Sequence, residues 1–338
     1  MRLTPRSIPL FFFTASLAAA LVAGCSDETS GSTTASTSTG SGGAGGAGGM
    51  GGADPYVRHD INPKETDSAI DQAFDDHFAA FDPKLASNGK LFVHLPGLNG
   101  TPAESLQILE LAVAAGYHVV GLMYVNTHDI STLCAADLDC YEGVRLEIIN
   151  GMDTTDKITV SVANSIENRL SKLLAHLNST YPDEGWGAFQ DGGGPLYASI
   201  SLSGYSQGGG HAALIAKTRA LARVVLFSAV TDGDSGISAS WLKKNPATAN
   251  SLHFGIAHTQ DPAFDQITSG WATLGLSFFG IPVDVDTIDP PYANSHQLTT
   301  SLNTVTGNSH AGTALDAHAP IVEGKSALVP AWTYLIGK

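Results

Sequence analysis

The stretch "LYASISLSGYSQGGGHAALIAKTRAL", residues 196–221, changes from a strand pattern to a helix pattern within a few residues. Apolar alternation over 196–203 predicts a buried strand, and the Ala- and Leu-rich run over 207–221 predicts a helix. Ser206 lies between the two, with a glycine two residues away on each side. The chain holds 37 glycines, so this G-x-S-x-G pattern gains its weight from the strand–turn–helix setting. That setting predicts a sharp turn that presents Ser206 at the end of a strand.

Strand and helix patterns alternate along the chain from residue 90 onward. Strands are predicted at 90–95, 117–125, 196–203, 223–229 and 251–258, with a last strand either in "VDVDT" or in "QLTTSL". Helices are predicted at 102–116, 164–181, 207–221, about 264–279 and near the C-terminus, where Pro330 bends or delays the helix. This alternation predicts an α/β fold whose mostly parallel central sheet carries helices on both faces. Ligands of such sheets bind beyond the C-terminal ends of the strands, where Ser206 is expected.

Residues 1–24 are typical of an export signal. A basic start is followed by an apolar run over 8–23 and by small residues before Cys25. The residues before Cys25 also resemble the cleavage box of a bacterial lipoprotein, which implies a lipid on the Cys25 thiol. Because Ser26 follows, we expect an anchor in the outer membrane if the host is Gram-negative. The alternative is an ordinary signal peptide followed by an incidental cysteine.

Residues 25–55 consist largely of Gly, Ser, Thr and Ala. Such a segment has almost no apolar side chains to bury, so burial cannot offset the entropy of ordering it. We therefore predict a disordered tether at 25–55, followed by a catalytic domain at 56–338. A flexible coil of this length spans about 30 Å end to end, enough to hold the domain away from a membrane surface.

The overall charge argues against nucleic acid as a partner. The chain has 17 Lys and Arg against 32 Asp and Glu, a net charge of −15. No dinucleotide fingerprint follows a strand and no H-E-x-x-H motif occurs, so we expect no cofactor and no metal. The acidic segments "TDGDSG" and "VDVDTID" lack the twelve-residue calcium pattern.

Two cysteines, Cys134 and Cys140, lie close together in "STLCAADLDCYEG". In an exported protein, thiols at this spacing favour a local disulfide, since a zinc site would need further Cys or His ligands nearby. Two free buried thiols are the remaining alternative.

The motif "GYSQG" in its strand–turn–helix setting resembles the nucleophile elbow of the α/β-hydrolase superfamily, which includes esterases, lipases and cutinases. The resemblance covers roughly residues 90–336 and implies that Ser206 is a nucleophile. It departs from the family at the N-terminus, where an antiparallel hairpin is usual. Here "DSAIDQAFDDHFAAF" at 67–81 predicts a helix, so we expect that the hairpin is missing.

The resemblance also implies two main-chain donors for a developing oxyanion. One is the amide of Gln207, the residue after the nucleophile. The other is the amide of Leu98, in the loop "HLPGLNGTP" that follows the 90–95 strand. A plain tight turn explains the glycines of this loop equally well.

A general base is expected after the acid, because the family has the chain order Ser, acid, His. His310, in the small-residue loop "TGNSHAGTALD", occupies the place where the family has its base. His296 in "PYANSHQL" and, less favoured, His318 remain alternatives.

The acid is expected shortly after the strand at 251–258. Asp261 in "GIAHTQDPAF" occupies that position, and Asp265 lies just beyond it. Asp232 and Asp234 in "SAVTDGDSG" follow the preceding strand, which is another location known in the family.

These residues together predict a serine hydrolase that works through an acyl-enzyme. The resemblance to esterases, lipases and cutinases implies that its substrates are carboxylic esters, small-molecule or lipid. The substrate pocket is expected to be built from residues 126–163 and 230–250. A protein of another class stays open: a cell-surface binding protein that has a hydrolase fold without turnover.

Overall fold

Nine strands form one sheet in the computed structural model, which describes residues 56–338. They are β1 (Val57–Ile61), β2 (His77–Phe81), β3 (Leu91–Leu95), β4 (His118–Gly121), β5 (Ile200–Tyr205), β6 (Arg223–Phe227), β7 (His253–His258), β8 (Val283–Asp284) and β9 (Gln297–Thr300). Their order across the sheet is β1-β2-β4-β3-β5-β6-β7-β9-β8. The pairs of β2 with β1 and with β4 are antiparallel. All other neighbouring pairs in the sheet, from β4 with β3 to β9 with β8, are parallel. The predicted α/β class with a mostly parallel sheet is therefore confirmed.

The central strands are buried on both faces. In β3, Leu91, Val93 and Leu95 belong to one apolar cluster, whereas Phe92 belongs to another. Successive residues of a strand point to opposite faces, so each face of the sheet has its own core. This double burial explains why β3 reads as an almost continuous apolar run in the sequence.

Eight helices in the described residues cover these two faces and connect the strands. They are α1 (Pro63–Thr66), α2 (Leu106–Ala114), α3 (Ile130–Cys134), α4 (Cys140–Asn150), α5 (Ile166–Thr180), α6 (Gln207–Thr218), α7 (Phe264–Leu274) and α8 (Val329–Ile336). The apolar residues of α2 and α8 belong to the cluster that contains Phe92. Those of α4, α5, α6 and α7 belong to the other cluster. Helices therefore lie on both faces of the sheet, as predicted.

Local sequence signals mark several helix boundaries. Helix α5 begins after Ser165, whose side chain accepts a hydrogen bond from the Asn168 amide. Thr101 and Glu104 form a capping box before α2, although the first turn from Pro102 is a 3₁₀ turn. Pro330 lies in the first turn of α8, where a missing N–H costs no helical hydrogen bond.

The predicted helix at 67–81 is wrong, and so is the predicted loss of the N-terminal hairpin. Residues 77–81 form β2, which pairs with β1 in the register Val57 to Phe81. Phe78 packs in one apolar cluster and Ala79 in the other, an alternation that belongs to a strand buried on both faces. Pairing with two neighbouring strands therefore outweighed the local helical spacing.

Both candidates for the last strand are strands. The "QLTT" segment forms β9, next to β7, and the "VD" pair forms β8 outside it at the edge of the sheet. In the described part of the chain, no helix has the length and apolar character needed to cross a membrane. The predicted signal peptide at 1–24, the tether at 25–55 and Cys25 lie outside the described residues.

Candidate active site

Ser206 lies in the turn between β5 and α6, with the backbone strained. Its φ of 51° and ψ of −117° are unusual for a residue that has a side chain. The Ser206 amide donates to the Phe227 carbonyl at 2.9 Å, which joins the turn to β6. A Cβ atom on Gly204 would overlap the backbone of Gly208, and one on Gly208 would overlap the Leu95 carbonyl oxygen. The turn therefore requires glycine on both sides of the serine.

Three side chains from separate loops form one hydrogen-bonded chain at this turn. His310 Nε2 lies 2.8 Å from Ser206 Oγ, and His310 Nδ1 lies 2.6 Å from Asp261 Oδ2. Asp261 follows β7 and His310 follows β9, so all three groups lie at the C-terminal ends of parallel strands. The structure thus brings together the serine, histidine and aspartate that the sequence pointed to.

The partners of His310 decide where its proton lies. An ionised carboxylate can only accept a hydrogen bond, so the proton between His310 and Asp261 is on Nδ1. In the neutral ring, Nε2 is then free to accept from the Ser206 hydroxyl. The Asp261 side chain is 1% exposed, and its Oδ1 accepts from the Ala263 amide at 2.8 Å. Both carboxylate oxygens are therefore held in place.

The alternative histidines have other partners. His296 stacks on Phe254 with ring centroids 3.9 Å apart, and its Nδ1 lies 2.9 Å from the His253 carbonyl oxygen. Burial lowers the pKa of His296. His318 Nδ1 lies 2.5 Å from Thr306 Oγ1. Neither ring is bonded to Ser206, whereas His310 is.

The alternative acids are also placed elsewhere. Asp265 lies in the first turn of α7, a position that complements the positive end of the helix. Asp234 is exposed and accepts a hydrogen bond from Ser235. Asp232 is buried and bonded to Arg145. Of the candidates considered, Asp261 is the one that contacts His310.

The expected oxyanion donors border the same space. The Gln207 amide belongs to the first residue of α6, and Leu98 lies in the loop after β3. Asn126 holds this loop, because its Nδ2 donates to the Gly97 and Gly100 carbonyl oxygens at 2.7 Å each. Within residues 56–338, neither the Leu98 amide nor the Gln207 amide donates to another protein group. Both remain free to bind a ligand oxygen.

A buried ion pair beneath the serine turn is not evident from the sequence. Arg145 donates from Nε to Asp232 Oδ2 at 2.6 Å and from Nη2 to Asp232 Oδ1 at 2.5 Å. Its Nη1 donates to the Gln207 carbonyl oxygen at 2.9 Å, and Trp241 Nε1 also donates to Asp232. Each side chain of the pair is 2% exposed. The only available signal was an arginine inside the apolar segment "VRLEII" of α4.

The predicted disulfide between Cys134 and Cys140 is confirmed. It links the end of α3 to the start of α4. The neighbouring Tyr141 hydroxyl donates to the Ala135 carbonyl oxygen at 3.0 Å and contacts the Gly233 carbonyl oxygen at 3.2 Å. The Cys134–Cys140 disulfide therefore braces a segment that borders the site.

Over the residues that the structure describes, no cluster of His, Cys, Asp or Glu is arranged to hold a metal ion.

A cavity of about 170 Å³ opens beside Ser206. Its lining consists of Leu98, Asp129, Ile130, Ser131, Tyr141, Arg145, Ser206, Gln207, Thr231 and Asp232. A larger cavity of about 790 Å³ lies between α2 and α8 and is lined by other residues, such as Leu111 and Val329. The larger of the two cavities therefore does not contain the hydrogen-bonded serine. The chemistry of the lining side chains, and not cavity volume, identifies the candidate site.

Comparison with known proteins adds no family to this description. The chain matches no protein-family model and no curated protein. The chemical interpretation of the site therefore depends on the contacts among Ser206, His310 and Asp261.

Proposed function

We propose that this protein is a serine hydrolase of the α/β-hydrolase superfamily that cleaves carboxylic esters through an acyl-enzyme. The observation that carries the proposal is the continuous hydrogen-bonded chain from Ser206 through His310 to the buried Asp261. Nucleophile and base lie within the hydrogen-bond distance that proton transfer needs, and a third group orients the base. A turn serine without a chemical role would need neither partner.

The fold supports the same proposal. The strained serine between a strand and a helix, with glycines two residues away on each side, has the features expected of the nucleophile elbow of this superfamily. The acid follows β7 and the base follows β9, in the chain order that the superfamily uses. The antiparallel pair of β1 and β2 corresponds to the N-terminal hairpin that is usual in the superfamily.

In the first half of the proposed reaction, Ser206 Oγ attacks the ester carbonyl carbon while His310 Nε2 takes the hydroxyl proton. Asp261 stabilises the imidazolium that forms. The Gln207 and Leu98 amides donate to the oxyanion of the tetrahedral intermediate. His310 then gives the proton to the leaving alkoxide, so the alcohol departs and Ser206 remains acylated.

In the second half, water replaces the alcohol. His310 takes a proton from the water as its oxygen attacks the acyl carbon, and the second tetrahedral intermediate uses the same two amides. When that intermediate collapses, His310 returns the proton to Ser206 Oγ and the carboxylic acid leaves. The enzyme is unchanged at the end of the cycle.

A fluorophosphonate probe tests this proposal on the purified full chain. We expect covalent labelling that peptide mass spectrometry locates at Ser206, together with hydrolysis of 4-nitrophenyl acetate. Ser206→Ala should lose both, whereas Ser179→Ala, which truncates a serine in the last turn of α5, should keep both. Folded protein that is neither labelled nor active would overturn the proposal and favour a binding protein without turnover.

We also propose that a lipid on Cys25 tethers the protein to the cell envelope. The support is the sequence alone: the residues before Cys25 and the Gly/Ser-rich segment after it. Two or more acyl chains are needed for stable anchoring, and a lipoprotein cysteine carries at least that number. Cys25→Ser should abolish the incorporation of labelled palmitate in the expressing bacterium. Unchanged incorporation would refute the anchor.

A further inference from the structure

The cavity beside Ser206 lies on one particular side of the reacting groups. Within the described residues, its lining includes Ser206, Gln207 and Leu98 but not His310. In the proposed mechanism, His310 Nε2 must face the leaving alcohol, because that nitrogen gives the alcohol its proton. The acyl group therefore extends away from His310, along the side where the oxyanion donors lie. This step rests on the proposed function and assigns the cavity to the acyl part of the substrate.

The size of the cavity limits that acyl part. A dry cavity of about 150 Å³ in another protein accommodates benzene, which has six carbon atoms. Pockets that hold drug-sized ligands occupy roughly 300–1,000 Å³. At about 170 Å³, the cavity has room for a group of similar size to benzene and not for a fatty acyl chain.

Two of the residues that form the cavity wall are closely packed. Ile130 and Tyr141 are 3% and 2% exposed, and the Tyr141 hydroxyl donates to the Ala135 carbonyl oxygen and contacts the Gly233 carbonyl oxygen. The Cys134–Cys140 disulfide closes the turn between the helices that carry these two residues. A longer chain that extends against Ile130 and Tyr141 would have to displace these packed side chains, at a cost typical of overpacking.

The polar groups of the lining further narrow the class of acyl group. Arg145 is paired with Asp232, so those two charges offset each other. Asp129 is the other acidic residue of the described lining and has no such partner of opposite charge there. The Ser131 hydroxyl donates to its carboxylate at 2.6 Å and lowers the pKa of that carboxyl group. A negative charge at the wall opposes an acyl group that carries its own carboxylate.

The alcohol side is less restricted. The His310 side chain, which faces the leaving group, is 25% exposed, whereas the Asp261 side chain behind it is 1% exposed. The leaving group therefore points toward solvent, where its size has little effect on binding.

We propose that the enzyme is selective for esters of short, neutral acyl groups, of up to about six carbon atoms, and tolerates larger alcohols. Residues Ile130 and Thr231 set the upper limit on acyl length. They line the cavity and take no part in the proposed proton transfers.

The proposal is tested with 4-nitrophenyl acetate, butyrate, octanoate and hydrogen succinate, together with the fluorophosphonate probe. We expect kcat/KM to fall at least about tenfold from butyrate to octanoate, and also from butyrate to hydrogen succinate. 1-Naphthyl acetate, with its bulkier alcohol part, should remain a substrate. The wild-type profile alone decides these points and does not depend on any variant.

Two variants should move the limit in opposite directions. Thr231→Leu fills the cavity and should lower kcat/KM for butyrate more than for acetate, whereas Ile130→Ala enlarges it and should raise the octanoate-to-butyrate ratio. Ile281→Ala is the matched control, since this isoleucine is 79% exposed and does not line the cavity. It should leave the profile unchanged.

Three outcomes would overturn the inference. Octanoate preferred over butyrate, with Ser206 labelled normally, would refute the short-acyl limit and leave the proposed function intact. A profile that Thr231→Leu and Ile130→Ala do not change would remove the cavity from the acyl site. Absence of both labelling and hydrolysis would reject the proposed function, and the inference with it.

Discussion

Replacing Asp261 with Asn tests whether a carboxylate holds the His310 imidazole in one tautomer. Asp261 Oδ2 lies 2.6 Å from His310 Nδ1, and Oδ1 accepts from the Ala263 amide at 2.8 Å. Because that amide can only donate, the asparagine oxygen would take the Oδ1 position and its NH₂ group would face Nδ1. If Nδ1 kept its proton, two donors would face each other, the asparagine NH₂ group and the Nδ1–H group. The imidazole would therefore carry its proton on Nε2. In that tautomer, Nε2 could not accept the proton of Ser206.

The expected loss is large. The same exchange of acid for amide in a serine-protease triad lowers kcat about 10⁴-fold, and we expect a similar factor here. It corresponds to about 5 kcal/mol of transition-state stabilisation. The Asp261 side chain is 1% exposed, so solvent offers no substitute for the lost acceptor. Initial rates of ester hydrolysis give kcat, and thermal unfolding followed by circular dichroism checks that the variant is folded.

Asp265→Asn is the matched control. It makes the same chemical change four residues further along the chain, in the first turn of α7. It should keep kcat within about twofold of wild type, because it removes a charge that touches neither Ser206 nor His310. The reasoning fails if folded Asp261→Asn keeps more than about a tenth of wild-type kcat, or if Asp265→Asn loses as much activity as Asp261→Asn.

Three further predictions follow from the described contacts. Ser206→Ala and His310→Ala should each lower kcat about 10⁶-fold. The double variant should be little worse than either single variant, because the two residues act as one unit. Steady-state rates in which the two losses add would contradict this. Arg145→Met should lower the free energy of unfolding by about 3 to 5 kcal/mol, since it leaves Asp232 charged and buried, and a further Asp232→Leu change should recover part of the loss in urea unfolding. Burial raises the pKa of Asp316 from 3.8 to about 6, so the folded state binds its proton more tightly than the unfolded state. The stability of wild type relative to Asp316→Asn should therefore fall as the pH rises from about 4 to about 6 and stay constant above; urea titrations at several pH values that show no such fall would refute the assignment.

Some features of this protein follow from short stretches of sequence. The turn at Ser206 is encoded by glycines two residues away, and α5 begins where Ser165 can cap it. The alternation of strand and helix was visible because apolar periodicity reports burial over a few residues. The Cys134–Cys140 bond was predictable for the same reason, because its partners are close along the chain.

Other features depended on which segments become neighbours in the sheet. Strand β2 has a local pattern that favours a helix, and only its pairing with β1 and β4 makes it a strand. The buried pair of Arg145 and Asp232 joins residues that are 87 positions apart, and the sequence of neither segment indicates which residue it pairs with. Local propensity is weak compared with the free energy of burying a strand between two others.

The site shows the same division between sequence and tertiary structure. Sequence by itself determined the nucleophile candidate, because a serine at the sharp end of a strand needs small residues within two positions. It left several acids and bases open, since Asp261 and His310 are 49 residues apart and His310 is 104 residues from Ser206. The order of β5, β7 and β9 in the sheet decided between them, because strands that run parallel bring their C-terminal loops to one edge whatever their distance along the chain.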